Sequence, residues 1–82
     1  LLKKTISLIR EKGWEIGNID TTVCLERPKL KNYIPEMLEV LSSTMAIESD
    51  QLSIKATTNE RMGFVGREEG VAAYAVVMLK KI

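Results

Sequence analysis

The residues best suited to chemistry lie between Lys55 and Gly70, in KATTNERMGFVGREEG. Thr57 and Thr58 are adjacent hydroxyls at the end of an alternating segment, where backbone N–H groups run out of ladder partners. Donors of this kind bind phosphate oxygens. Glu60 follows two residues later, placed to hold a divalent cation against the same oxygens. Mg²⁺ is commonly bound in this way, by one or two carboxylates together with substrate phosphates. Gly63, Gly66 and Gly70 permit positive φ and close backbone approach. The spacing is not that of a P-loop, which ends in Gly-Lys-Ser/Thr. On spacing alone a plainer reading is favoured, an ordered hairpin loop whose threonines cap a short helical turn at Asn59–Met62.

The other candidates divide in the same manner. Arg67 with Glu68 and Glu69 is either a solvated charge cluster, as such runs usually are, or an anion-binding arginine at a subunit junction. Phe64 either plugs its loop into the core or lines a ligand or interface. Lys29 and Lys31, beside Pro28, are either solubilising or able to meet a nucleotide. Cys24 reads as a small sheet residue, because no histidine is available to activate it. Asp20, among threonines in mid-strand, reads as a hydrogen-bonded structural acid rather than a general base.

The 82 residues suffice for one small domain with a modest core. With 45% hydrophobic and 28% charged residues, the composition is that of a folded protein rather than a disordered one. A net charge of +1, with the positive charges scattered, offers no nucleic-acid or anionic-membrane surface. No apolar run approaches the length of a membrane span, and no signal peptide is visible. The single cysteine excludes an internal disulfide and suits a reducing compartment. With no histidine present, a zinc site within these residues would have only Cys24 and carboxylates as ligands, a poor set. The chain opens at Leu1 directly in a helical pattern, and the expectation is that its beginning is missing.

The elements that must position the threonines follow from periodicity. Leu2, Ile6 and Ile9 mark one face of a first helix, which Gly13 is placed to end. Glu15 to about Glu26 alternates as a strand. Ile19, Thr21, Val23 and Leu25 share one of its faces, with Trp14 and Ile16 anchoring its entry in the core. A polar loop through Pro28 leads to a second helix, Ile34–Met45, striped by Ile34, Met37, Leu38, Leu41 and Met45, with Pro35 in its first turn. Leu52 to Thr57 reads as a short half-buried strand, and Val71–Leu79 as a strand buried on both faces. The order helix, strand, helix, strand, strand implies an α+β layered sandwich with the helices on one face of a mixed sheet. The crossover through the second helix favours parallel pairing of the first two strands, and the last two are expected to be antiparallel neighbours. The last strand's other face needs a cover from missing chain or a neighbouring subunit.

Read whole, the stretch resembles the later signature of the 2-C-methyl-D-erythritol 2,4-cyclodiphosphate synthase family. The matching residues are Lys55-Ala56-Thr57-Thr58, Glu60, Gly63-Phe64, Gly66-Arg67 and Glu69-Gly70. Upstream, Gly17-Asn18-Ile19-Asp20, Pro28-Lys29-Leu30 and Ile34-Pro35 continue the match in order along essentially the whole chain. The resemblance implies a homotrimer with sites between adjacent subunits. It also implies ring closure, in which the 2-phosphate of a CDP-linked methylerythritol attacks the β-phosphate of the same molecule and expels CMP. Such an enzyme serves the non-mevalonate isoprenoid pathway in the bacterial cytoplasm or a plastid-type organelle.

By the same resemblance, Thr57 and Thr58 meet the phosphates, with Thr58 as the transition-state stabiliser. Glu60 binds Mg²⁺ or Mn²⁺, and Asn59 lies among the substrate contacts. Leu25, Glu26, Arg27, Pro28, Lys29, Leu30 and Lys31 form the loop that recognises cytosine, largely through main-chain groups. Phe64 and Arg67 match ligand-contact positions, Arg67 also at the mouth of a cavity on the threefold axis. A trimer core would cover Val71–Leu79. The family's zinc-binding Asp-x-His motif and further histidine are not in these residues, and Tyr74 stands where some relatives carry a glutamate near the axial cavity. Two alternatives stand beside the synthase: a non-catalytic α+β trimerisation or nucleotide-binding module, and a purely structural domain whose glycine-rich loop is only a turn. The sequence upstream of Leu1 and calorimetry with CMP and Mg²⁺ would separate them.

Overall fold

A computed structural model describes residues 1–82. Helix α1 covers Leu2–Glu11, strand β1 Trp14–Cys24, helix α2 Ile34–Met45 and strand β2 Leu52–Thr57. A single helical turn, α3, covers Gly63–Gly66, and strand β3 runs Ala72–Lys81. Gly13 ends α1 as expected: its φ is 87° and its N–H donates to the Arg10 carbonyl at 2.9 Å. The second helix has the bounds its stripe predicted, with Pro35 in the first turn. Ala46, left-handed at φ 55°, ends it.

Leu52 lies opposite Ile19 and Thr57 opposite Cys24, so β1 and β2 are parallel, as the crossover through α2 requires. β3 runs antiparallel along the other edge of β1. The sheet order is therefore β2-β1-β3, and the expectation that the last two strands are neighbours is corrected. The segment between them carries the chain past the end of β1 instead of turning back at once. The class remains α+β, a mixed sheet with α1 and α2 on one face.

One irregularity decides what β1 buries. Along β3, Leu79 faces Ile16 and Met78 faces Asn18, leaving Gly17 as an extra residue. The bulge reverses the alternation, so Ile16 and Ile19 lie on the same face and are both buried. The Gln51 amide donates to the Gly17 carbonyl at 2.9 Å, satisfying a group the bulge takes out of the ladder. Ile16, Ile19, Ile6, Met45 and Leu52 form the core. Trp14, expected there with Ile16, is instead 41% exposed at the strand's edge.

Val71–Leu79 does not lie buried on both faces within this chain. Tyr74, Val76 and Met78 are exposed on the open face, and Val77 and Leu79 on the other, because the helices pack over β1 and β2 and stop short of β3. Only eight of 82 residues are buried. The radius of gyration is 14.6 Å, against roughly 12 Å for a compact domain of this length. The third strand is thus an apolar flank without a second layer.

Candidate functional site

Parallel strands that start together on one side of a sheet also finish together on the other. Beyond the last paired residues, Cys24 and Thr57, the Leu25 N–H still takes the Thr57 carbonyl at 3.0 Å. There both backbones leave the ladder, and two loops diverge from the carboxyl ends of β1 and β2. In open sheets with parallel strands this end is where ligands bind.

A cavity of about 150 Å³ lies between the loops, lined by Leu25, Lys29, Leu30, Lys31, Ala56, Thr57 and Thr58. Beside it is an open depression of about 480 Å³. Glu26, Arg27, Lys29, Thr58, Arg61, Gly66, Arg67 and Glu68 surround that depression. Lys29 and Thr58 border both hollows, so the second threonine stands at their junction. Together the hollows fall within the size range of small-molecule sites, roughly 300–1,000 Å³.

The charges are unequally engaged. Arg27 pairs with Glu68 at 3.1 Å and Arg67 with Glu69 at 3.0 Å. The Glu26 carboxylate accepts the Asn59 N–H at 3.0 Å and the Arg61 N–H at 2.9 Å. Lys29, Lys31 and Arg61 make no ion pair. The lip therefore offers three cations held in no ion pair, against one such carboxylate, Glu26, together with the exposed Thr57 and Thr58 hydroxyls, an arrangement suited to an anion.

The turn between Thr58 and Met62 is sharp. Glu60 and Arg61 have φ of 50° and 66°, and the Met62 N–H closes onto the Asn59 carbonyl at 2.9 Å. The expected helical turn at Asn59–Met62 is thus a left-handed turn, and the helix follows it at Gly63–Gly66. Gly66 packs against the Arg61 backbone so closely that a Cβ there would lie 2.2 Å from the Arg61 carbonyl carbon. Val65, 1% exposed, anchors this loop. Phe64, read from sequence as either that plug or a ligand or interface contact, is 52% exposed and lays its ring against Gly70.

Of the residues singled out by sequence, Leu25, Lys29, Leu30, Lys31, Thr57 and Thr58 surround the smaller cavity, and Glu26, Arg27 and Arg67 join Thr58 around the larger. Pro28, Asn59, Glu60 and Phe64 line neither. Sequence reasoning missed Arg61, Gly66 and Glu68 as lining residues. They lie inside the motif, but nothing in their types separates them from its solvated charges and turn glycines. No three His, Cys, Asp or Glu residues converge as a metal cluster. Glu60, a single exposed carboxylate, fits a divalent cation only when a ligand's phosphates share it.

Comparison with known proteins decides the family. The YgbB family model matches residues 1–80.

The chain belongs to the YgbB family.

It is 58% identical over all 82 residues to a protein of Bacteroides fragilis named 2-C-methyl-D-erythritol 2,4-cyclodiphosphate synthase, of which it covers 52%. Among solved structures, the bifunctional IspDF of Campylobacter jejuni superposes with a TM-score of 0.96 at 38% identity, over 98% of this chain and 22% of that one. The IspF–CDP complex of Plasmodium falciparum gives 0.94 at 29% identity, over 98% and 51%. The chain spans about half the length of the curated relatives it matches. Among the glycines of this YgbB chain, Gly66 is the one where an added side chain would meet the closest obstruction. Gly66→Ala should cost more than about 2 kcal/mol of stability by driving a methyl group into the Arg61 backbone. Denaturant titration of the complete polypeptide checks this, and an unchanged midpoint would refute the close approach.

Proposed function

We propose that the complete polypeptide carrying this sequence is a cyclodiphosphate synthase. In this reading it converts 4-diphosphocytidyl-2-C-methyl-D-erythritol 2-phosphate to 2-C-methyl-D-erythritol 2,4-cyclodiphosphate and CMP. The observation that carries the reading is Thr58, a free hydroxyl at the junction of two hollows on a cationic lip, in a chain whose relatives bear the synthase name. A 2-phosphate oxygen attacks the β-phosphorus, the bond from that phosphorus to the bridging oxygen breaks, and CMP leaves with the electron pair. Such a CMP-releasing phosphorus–oxygen lyase needs no covalent intermediate, only two phosphoryl groups held in line and the developing charge neutralised.

The roles divide along the two loops. Leu25, Glu26, Arg27, Pro28, Lys29, Leu30 and Lys31 hold the cytidine end; the Plasmodium falciparum relative is itself a CDP complex. Thr57, Thr58 and Asn59 meet the phosphates, Thr58 donating to the oxygen on which charge grows. Glu60 would hold Mg²⁺ or Mn²⁺ jointly with the phosphates, and the cation would supply charge neutralisation there. These residues do not fit zinc, since they include no histidine, so zinc ligands would come from outside them. Phe64 and Arg67 reach a neighbouring subunit of a homotrimer. The apolar, uncovered β3 supports that assembly, because an exposed patch of this kind marks an interaction surface. The setting is isoprenoid biosynthesis in a bacterial cytoplasm or plastid-type organelle; no helix is long and apolar enough to cross a membrane.

³¹P NMR of the complete polypeptide with substrate and Mg²⁺ should show the cyclic diphosphate and CMP appearing together. Substrate left intact, with CMP still bound, would favour the non-catalytic nucleotide-binding module. Thr58→Ala should lower kcat roughly 100-fold while CMP affinity changes less than about threefold. Equal losses would reduce Thr58 to ground-state binding. Glu60→Gln should raise the Mg²⁺ concentration needed for half activity, and an unchanged requirement would remove it as a ligand. Sedimentation should give a trimer, whereas a monomer would overturn that part.

A further inference from the structure

We propose that the Glu26 side chain is a positioning residue that sets the turn presenting Thr58 and Glu60, and so couples the nucleotide loop to the phosphate loop. The inference deepens the synthase reading and rests on it for its catalytic consequence.

The placement follows from register. The second half of β1 pairs with β2 at a constant offset, from Ile19 opposite Leu52 to Cys24 opposite Thr57. Two residues further along, the same offset sets Glu26 abreast of Asn59. The ladder has ended there, and the Asn59 N–H would have no strand partner. The Glu26 carboxylate takes it at 3.0 Å and reaches past it to the Arg61 N–H at 2.9 Å, using a different oxygen for each.

Those two amides flank Glu60. Glu60 and Arg61 are both left-handed without being glycine, a conformation such residues keep only where their surroundings enforce it. Gly66 confines the Arg61 backbone from one side, and the carboxylate holds its N–H. Glu26 makes no ion pair, although it shares the depression with Arg27, Lys29, Arg61 and Arg67. Its charge goes into two backbone N–H bonds, and such charge-assisted bonds are stronger than those between neutral groups. The Arg27–Glu68 pair bridges nearby segments too, but with side chains 82% and 52% exposed it contributes little.

The loop reading of Leu25–Lys31 gives the Glu26 side chain no defined part. The geometry gives Glu26 one: a clasp whose removal frees the turn while leaving the main-chain face of the nucleotide loop in place. Glutamine keeps one acceptor oxygen and sets an amide donor against the other N–H, so it holds one of the two amides.

The test uses Glu26→Ala and Glu26→Gln in the complete polypeptide, with three measurements. Without ligand or metal, the Asn59 and Arg61 amides should exchange at least about tenfold faster in Glu26→Ala than in wild type. Turnover should fall about tenfold or more and half-activating Mg²⁺ should rise, while CMP affinity by calorimetry stays within about twofold. Glu26→Gln should lie between. Unchanged exchange at both amides overturns the clasp. Unchanged Mg²⁺ activation, or equal loss of CMP affinity and turnover, overturns the coupling. A wild type that binds CMP but releases none from substrate refutes the synthase reading instead, and amide exchange still decides the clasp. If Glu26→Ala does not fold, Glu26→Gln decides: one amide must lose protection, and retention at both overturns the proposal.

Discussion

The parallel pairing of β1 with β2 is the constraint from which the rest of this chain follows. It requires the long crossover through α2, which places the helices on one face and closes the core around Ile16, Ile19 and Leu52. It also brings the two strands to a common finish at Cys24 and Thr57. Everything of chemical interest hangs on that finish: the paired threonines, the cationic loop from Leu25 to Lys31, and the carboxylate of Glu26 laid across to the facing loop. An antiparallel pair would have put these loops at opposite ends of the sheet.

The same architecture leaves a flank unfinished. Both sides of β3 carry apolar residues, yet α1 and α2 reach only β1 and β2. On the proposed account other chains cover that flank, and the site completes itself where they meet. On that account its own core fixes the strand ends, while a neighbouring subunit or the rest of the complete polypeptide supplies the second layer. Burial of only eight residues agrees with a layer that relies on something further.

Much of this was legible in the sequence, and the failures have physical causes. The stripe from Ile34 to Met45 showed α2 to its end residues because helical period and Pro35 agreed. Residue type marks Thr57 and Thr58 as candidate phosphate donors, and the structure puts both at a strand end and on a cavity. The bulge at Gly17 was not visible, because a period-two pattern has no mark for one extra residue, and so Trp14 was placed in the core. β3 was set beside β2 because successive strands usually pair, whereas the intervening segment crosses the end of β1. Val65, between Phe64 and Gly66, has no sequence mark of its burial, because a lone valine in a polar loop belongs to no apolar period. The Glu26 clasp is non-local and becomes readable only once the strand register is known.

The central claim is that the joint end of β1 and β2 holds a diphosphate. A crystal structure of the complete polypeptide with CDP and Mg²⁺ tests it most directly. The account predicts the phosphates against the Thr57 and Thr58 hydroxyls and the cytosine within the Leu25–Lys31 loop. Phosphates bound elsewhere, with both threonines left to solvent, would contradict it.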